Sequence, residues 1–317
     1  MKKALVALLF CLVPSSALYP GSRDPAIVAS PVPIDPDDPA RRDIGRLRYL
    51  GGWHLTSGQT GFGGYSALHV DGDQFLALAD TGDFMRFRMA RPGMISEGRF
   101  GTLAGFPADQ SNRRNRDPES LAIGPEGDAW VAFENQNAIL RYNRDLSLLN
   151  ALAWPPAMKD WPRNSGPEAI VRLEGGRFVV FAEGKVGGQG HPALMFPGDP
   201  TNPKHRPFKF NYLPPAGYSP TDAQQLPDGR IILLNRHFGL FDGFWAAVTI
   251  IETDAIRPDA TVAGELVAEF KPPLTVDNME GISVTRESGR TILWMISDDN
   301  QVSIERTLLL KFSLIER

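Results

Sequence analysis

The 317-residue chain has a single cysteine, Cys11, which lies within an apolar run near the N-terminus. Two lysines precede this run and small residues ending at Ala17 follow it, which is the pattern of a secretory signal peptide cleaved after Ala17. The predicted mature protein therefore has no cysteine, which excludes disulfides, a thiol nucleophile and thiolate metal ligands. A lipid anchor at Cys11 is the alternative, although the bulky Phe10 stands where small residues are usual. We predict a signal peptide at residues 1–17 and a periplasmic or secreted bacterial protein.

The sequence also lacks an excess of positive charge and a long apolar run. Its 33 lysines and arginines face 37 acidic residues, and a formal net charge of −4 gives no electrostatic basis for binding nucleic acid. The apolar run of the signal is too short to span a bilayer, so no transmembrane segment is expected in the mature protein. Apolar residues at helical spacing are scarce, whereas 31 glycines and 27 prolines supply turns. These features favour a single all-β domain.

What the sequence does contain is a fivefold repeat of two short apolar runs joined by a tight turn. The first runs begin at Gly64, Pro118, Pro167, Thr221 and Met279. The second runs end at the polar residues Asp80, Glu134, Glu183, Asn235 and Asp298. A period of about 50 residues with β-like runs and hairpin turns is typical of a β-propeller. We predict five blades, or six if residues 236–263 contain a degenerate blade.

The last repeat is one strand short, and an N-terminal run can complete it. Residues 44–55 form a strand-like run, and residues 307–315 supply the third strand of the final repeat. Joining strands from both termini in one blade closes the ring and leaves few open sheet edges. We therefore predict a propeller domain over residues 44–317. Residues 18–43 are rich in proline, aspartate and arginine and are expected to form an extended lead-in.

Acidic residues recur near the start of the repeats, where a propeller places them around its central channel. The predicted inner ring consists of Glu119, Glu168, Asp222 and Glu280, with Asp80 and Asp298 at the mouth of the same channel. Carboxylates crowded in a narrow channel repel one another unless a cation, a proton or a basic side chain neutralises them. Oxygen ligands favour Ca²⁺, with Mg²⁺ as the second choice. The alternative is that each acid caps strand-end amides or pairs with a neighbouring arginine.

Basic and further acidic residues beside the same strand ends are candidates for catalysis. Four basic residues lie close to the acids in the sequence and are suited to orient the oxygens of a substrate: Arg116, Lys185, Arg236 and His237. Glu183 and Glu134 are candidates for a general base. The chain has no Gly-x-Ser-x-Gly elbow, and its five histidines show no close metal-ligand spacing, so a serine hydrolase and a zinc enzyme are disfavoured.

The order of these motifs resembles the bacterial phytase-like family called "esterase-like activity of phytase". The resemblance rests on residues 63–68 with 78–83, on Arg116-Asp117-Pro118-Glu119-Ser120-Leu121-Ala122, on residues 166–170 and on Asn278-Met279-Glu280-Gly281-Ile282. It extends from about Gly51 to the C-terminus. The resemblance implies a propeller, export, and hydrolysis of an ester or phosphoester.

Together these observations predict an exported, metal-dependent hydrolase of a small-molecule phosphoester or other ester, acting as a monomer. Two alternatives stay open. One is a propeller that binds a ligand or a protein without catalysis, and the other is a lactonase-like propeller.

Overall fold

The structure is a computed structural model that describes residues 26–105, 117–185 and 190–316. The predicted signal peptide, Cys11 and Arg116 lie outside the described residues. Two short 3-10 helices, Pro156–Met158 and Thr253–Ala255, interrupt an otherwise β-stranded fold in the described part of the chain.

The described residues form twenty-three strands. In chain order they are β1 (Ile27–Pro31), β2 (Asp43–Ile44), β3 (Leu47–Ser57), β4 (Tyr65–Asp71), β5 (Gln74–Ala79), β6 (Asp83–Arg91), β7 (Met94–Thr102), β8 (Pro118–Ile123), β9 (Ala129–Phe133), β10 (Ala138–Tyr142), β11 (Leu149–Ala153), β12 (Pro167–Arg172), β13 (Phe178–Ala182), β14 (His191–Phe196), β15 (Phe208–Leu213), β16 (Ser219–Gln225), β17 (Ile231–Gly239), β18 (Gly243–Ile251), β19 (Thr261–Ala263), β20 (Glu265–Phe270), β21 (Asn278–Glu287), β22 (Arg290–Asp298) and β23 (Leu308–Leu314).

These strands form five sheets arranged as the blades of a propeller, which confirms the predicted fold and blade number. Blade 1 is β4 to β7, blade 2 is β8 to β11, and blade 3 is β12 to β15 with β19 at its edge. Blade 4 is β16-β17-β18-β20 and blade 5 is β21-β22-β23-β3-β1. The first strands of the blades, β4, β8, β12, β16 and β21, contact one another in sequence around the centre.

The ring is closed by strands from both termini, as predicted. In blade 5 the N-terminal β3 pairs antiparallel with the C-terminal β23. The edge strand β1 pairs with β3 and comes from the segment expected to be an extended lead-in, so the sheet starts well before residue 44. Along β3, buried and exposed residues largely alternate. The edge of β3 that does not pair with β23 pairs with β1 instead.

The segment 236–263 contains no additional blade. It continues β17 into a long hairpin with β18, and its end supplies β19, which pairs parallel with β15 of the previous blade. This long hairpin contains the extra residues that had made a sixth blade a possible interpretation of the sequence.

The core lies between the blades rather than at the centre of the ring. One apolar cluster fills each of the five gaps between neighbouring blades. The predicted hairpin turns join the first two strands of every blade, and glycines with positive φ, such as Gly72 at 60° and Gly229 at 92°, make them possible. The turns define one end of the channel, and the starts of the inner strands define the other end, here called the mouth.

Candidate metal centre

Each inner strand carries a β-bulge near its start, because the pairing register with the next strand skips one residue. The skipped residues are Ser66, Glu119, Glu168, Thr221 and Glu280. A bulge leaves its extra residue outside the ladder and redirects the side chain. These five residues, called here the bulge ring, occupy equivalent positions around the mouth. Three of the four residues predicted for an acidic ring therefore lie in it.

Asp222 is not at the bulge of its strand. The bulge lies at Thr221, and Asp222 is the next residue along the chain, one position beyond the equivalents of Glu119, Glu168 and Glu280. Its fully buried carboxylate accepts hydrogen bonds from the Ser120 hydroxyl at 2.7 Å and from the Ile282 amide at 2.9 Å. Burial raises the pKa of Asp222 well above its usual range, and the hydrogen bonds that it accepts oppose that rise. The structure thus places Asp222 in a network that joins blades 2, 4 and 5.

A second set of equivalent residues lies on or directly after the second strand of each blade, opposite the residue two positions before the bulge. This strand-end ring consists of Asp80, Glu134, Glu183, Arg236 and Asp298. The Asp80, Glu134 and Glu183 amides donate to the carbonyls of Gly64, Asp117 and Gly166, at 2.9, 3.0 and 3.0 Å. In blade 4 this position belongs to Arg236 and not to Asn235, whose buried side chain accepts a hydrogen bond from Tyr212. The strand-end ring therefore consists of four acids and one arginine.

Two groups of carboxylates meet where blades 2 and 3 face each other. Asp117, Glu119 and Glu134 offer oxygen atoms within 4.8 Å of one another, as do Glu134, Glu168 and Glu183. Glu134 belongs to both groups. Among the described residues, no lysine, arginine or histidine forms a salt bridge with Glu119, Glu134 or Glu168. Such a set of hard oxygen ligands fits Ca²⁺ or Mg²⁺ and leaves its negative charge unbalanced without a cation.

The pKa values of these carboxyl groups respond to the crowding. Burial raises the pKa of Glu168 well above its usual range, and the charges of Glu119, Glu183 and Glu134 raise it further. Burial also raises the pKa of Glu134 to about 8, with a further rise from Asp117. The pKa of Glu119 rises in the same direction, chiefly through burial, although part of its surface stays open to the channel. Without a cation, Glu134 would hold a proton at neutral pH.

Arg236 neutralises the opposite side of the mouth. Its Nη2 lies 2.7 Å from Glu183 Oε1, and its Nη1 donates to Glu280 Oε1 and to Asn278 Oδ1, the latter at 2.8 Å. Burial raises the pKa of Glu280 to about 7, and Arg236 opposes that rise. This built-in cation lies between blades 3, 4 and 5 and pairs with Glu183 and Glu280, so among the described residues Glu119, Glu134 and Glu168 of blades 2 and 3 have no such partner.

Asp80 and Asp298 also border the mouth, in blades 1 and 5. Asp80 Oδ1 is buried and, among the described residues, has no hydrogen-bond partner. Burial raises the pKa of Asp80 to about 6, with a contribution from Asp117, and raises the pKa of Asp298 to about 8, with a contribution from Glu280. The structure does not bring either residue into the two carboxylate groups of blades 2 and 3.

The remaining predicted catalytic residues lie farther from the carboxylates or outside the described chain. His237 Nδ1 donates to the Gly217 carbonyl at 2.8 Å, and the ring lies 4.5 Å from that of Trp245. Lys185 is exposed at the end of a described segment. Arg116 lies outside the described residues.

Asp117 is a candidate ligand that the repeat pattern did not indicate. It directly precedes Pro118, and its equivalents in blades 1 and 3 are Gly64 and Gly166, which carry no side chain. The available signal was its position two residues before Glu119 and directly after Arg116.

The chain matches the family described as phytase-like, esterase-like activity of phytase, over residues 60–301. It therefore belongs to this family. Among curated proteins, no sequence matches it. No helix in the described part of the chain is long and apolar enough to cross a membrane.

Several solved structures are similar in fold. Glutaminyl cyclase from Myxococcus xanthus has 9% identity and a TM-score of 0.47, covering 86% of this chain and 100% of its own. The calcium-binding protein regucalcin from Agrobacterium tumefaciens has 15% identity and a TM-score of 0.46, covering 92% of each chain. The allergen Mala s 1 from Malassezia sympodialis has 12% identity and a TM-score of 0.46, covering 92% of this chain and 96% of its own. At such identities the assignment of the chain rests on the family match.

Proposed function

We propose that this protein is an exported, metal-dependent hydrolase of a phosphoester or other ester, with its centre at the mouth of the propeller. The observation that carries the proposal is the pair of carboxylate groups that share Glu134. Membership of the phytase-like family supports a hydrolytic reaction. The signal-peptide pattern of residues 1–17 supports export.

In this proposal Asp117, Glu119, Glu134 and Glu168 hold a divalent cation, with Ca²⁺ as the first choice and Mg²⁺ as the second. The bound cation would supply Lewis-acid chemistry, polarising a phosphoryl or carbonyl oxygen and making water more acidic. Because the pKa of Glu134 is raised to about 8, this carboxyl group must lose a proton to bind the cation at neutral pH.

Glu183 and Arg236 complete the proposed mechanism. Glu183 uses Oε1 for its ion pair with Arg236, which leaves Oε2 to accept a proton from the attacking water. Arg236 holds Glu183 and Glu280 in place, and its remaining N–H groups orient an oxygen of the substrate. Glu134 is the alternative base, but its place in both carboxylate groups favours a ligand role.

The test combines metal analysis with hydrolysis of p-nitrophenyl phosphate and p-nitrophenyl acetate, each with and without prior removal of metal. Glu134→Gln should weaken metal binding by at least about tenfold and abolish turnover, because it replaces the carboxylate shared by both groups with a neutral amide. The matched control is Glu126→Gln, an exposed glutamate in the turn at the other end of blade 2, which should keep metal and turnover.

Equal metal content and turnover in the two variants would contradict the proposed centre. Stoichiometric metal lost in Glu134→Gln, without turnover of any ester, would favour the alternative of a ligand-binding propeller. The better of the two substrates would identify the ester class.

A further inference from the structure

A groove lies between blades 1 and 2 at the end of the propeller opposite the mouth. Its volume is about 840 Å³, and the hairpin turns of both blades border it. Five arginines line the groove: Arg86, Arg88, Arg99, Arg144 and Arg172. A cavity of this size accommodates a small organic molecule.

Most of this positive charge has no carboxylate partner. Arg88 forms salt bridges with Asp73 at 2.5 Å and Glu97 at 3.0 Å. Among the described residues, the other four arginines of the groove form no salt bridge. The remaining carboxylates on the groove wall, Asp71 and Asp145, are exposed. The groove is therefore electropositive although the whole chain carries a formal charge of −4.

Arg86 and Arg99 face each other directly across β6 and β7. Like charges at such a cross-strand pair destabilise a sheet unless something between them compensates. Arg86 is half-buried, its Nη2 donates to the Arg144 carbonyl at 2.8 Å, and its guanidinium lies 5.6 Å from the centre of the Phe84 ring. These contacts fix the guanidinium. The charge of the exposed Asp145 acts on it without forming a salt bridge, so the guanidinium remains available to an anion.

We propose that this groove is a second ligand site, which binds a small organic phosphate through Arg86 and Arg99. Paired guanidinium groups match the oxygens of a phosphate bidentately. Leu76 and Ile123 on the groove wall offer apolar contact, and the volume exceeds what phosphate alone would fill. The site is independent of the proposed metal centre, which lies at the other end of the channel.

The test is calorimetric titration of the metal-free protein with phenylphosphonate, which esterase chemistry cannot cleave, and with inorganic phosphate. We expect saturable binding of phenylphosphonate at one site, weakened at least about tenfold by Arg86→Gln and by Arg99→Gln, since each removes a charged hydrogen bond. Arg290→Gln is the matched control, because Arg290 is exposed at the same end of the propeller in blade 5. It should change affinity by less than about twofold. Glu134→Gln should bind phenylphosphonate as the unchanged protein does.

Equal affinity for the two probes, with the same dependence on Arg86 and Arg99, would support the oxyanion site and assign it to free phosphate. Absence of saturable binding, or an equal loss in Arg290→Gln, would overturn the proposal. Arg99 is exposed, so its variant should keep the fold even if Arg86→Gln does not.

Discussion

Arg236 carries the only positive charge in the strand-end ring, where the other four blades place an acid. It donates to Glu183, Glu280 and Asn278, so three blades depend on one guanidinium. This arrangement explains why the proposed cation belongs on the side of blades 2 and 3. Arg236 already pairs with Glu183 and Glu280.

We predict that Arg236→Gln lowers the free energy of unfolding. The substitution leaves Glu183 and Glu280 without their counter-charge, and breaking a buried ion pair from one side costs about 3 kcal/mol. Urea unfolding of the metal-free protein should show a loss of that order. The control Arg46→Gln breaks a partly exposed pair with Glu265 at 2.9 Å and should cost at most about 1 kcal/mol. Similar losses in the two variants would contradict the role given to Arg236.

At the scale of the strand, the bulges decide which side chains reach the mouth. Spacing predicted the five blades and the closure of the ring, because these follow from apolar runs and turns. It placed Glu119, Glu168 and Glu280 in one ring, because each lies at a bulge. In blade 4 the prediction was wrong by one residue. Asp222 was aligned with the acids of the other blades, whereas the bulge lies at Thr221. The same shift placed Asn235 where Arg236 lies. A bulge cannot be read from the repeat spacing, because a loop that is one residue shorter or longer hides the extra residue of the bulge.

The corrected position of Asp222 leads to a prediction about how the inner strands are held together. The amide of Ile170 in blade 3 donates to Ser120 Oγ at 3.0 Å, and the Ser120 hydroxyl donates to Asp222 Oδ1. The Ile282 amide donates to Asp222 Oδ2 at 2.9 Å. Asp222→Asn places an NH₂ group against one of these donors, so it should cost about 1 to 3 kcal/mol in urea unfolding.

The control for this variant is Asp254→Asn, which changes an exposed aspartate of a 3-10 helix. It should leave the free energy of unfolding within about 0.5 kcal/mol. An Asp222→Asn protein as stable as this control would show that the network does not hold the inner strands.

In the described part of the chain, charge differs between the two ends of the propeller: carboxylates outnumber basic groups around the mouth, and arginines outnumber carboxylates in the groove between blades 1 and 2. The carboxyl groups of the mouth make the stability of the metal-free protein depend on pH. Burial raises the pKa of Asp80 to about 6, of Glu280 to about 7, and of Glu134 and Asp298 to about 8. In the unfolded chain the same groups titrate near pH 4.

Between about pH 4 and pH 8 the folded chain therefore binds more protons than the unfolded chain, and its stability falls as the pH rises. Each group that stays protonated only in the fold contributes a fall of about 1.4 kcal/mol per pH unit. Thermal unfolding of metal-free protein should show a lower midpoint at pH 8 than at pH 5.5, and saturating Ca²⁺ should reduce the difference by replacing the protons. Asp298→Asn should make the dependence shallower, because asparagine does not titrate. A midpoint that rises from pH 5.5 to pH 8 without metal would mean that the mouth carboxylates are already balanced in the fold.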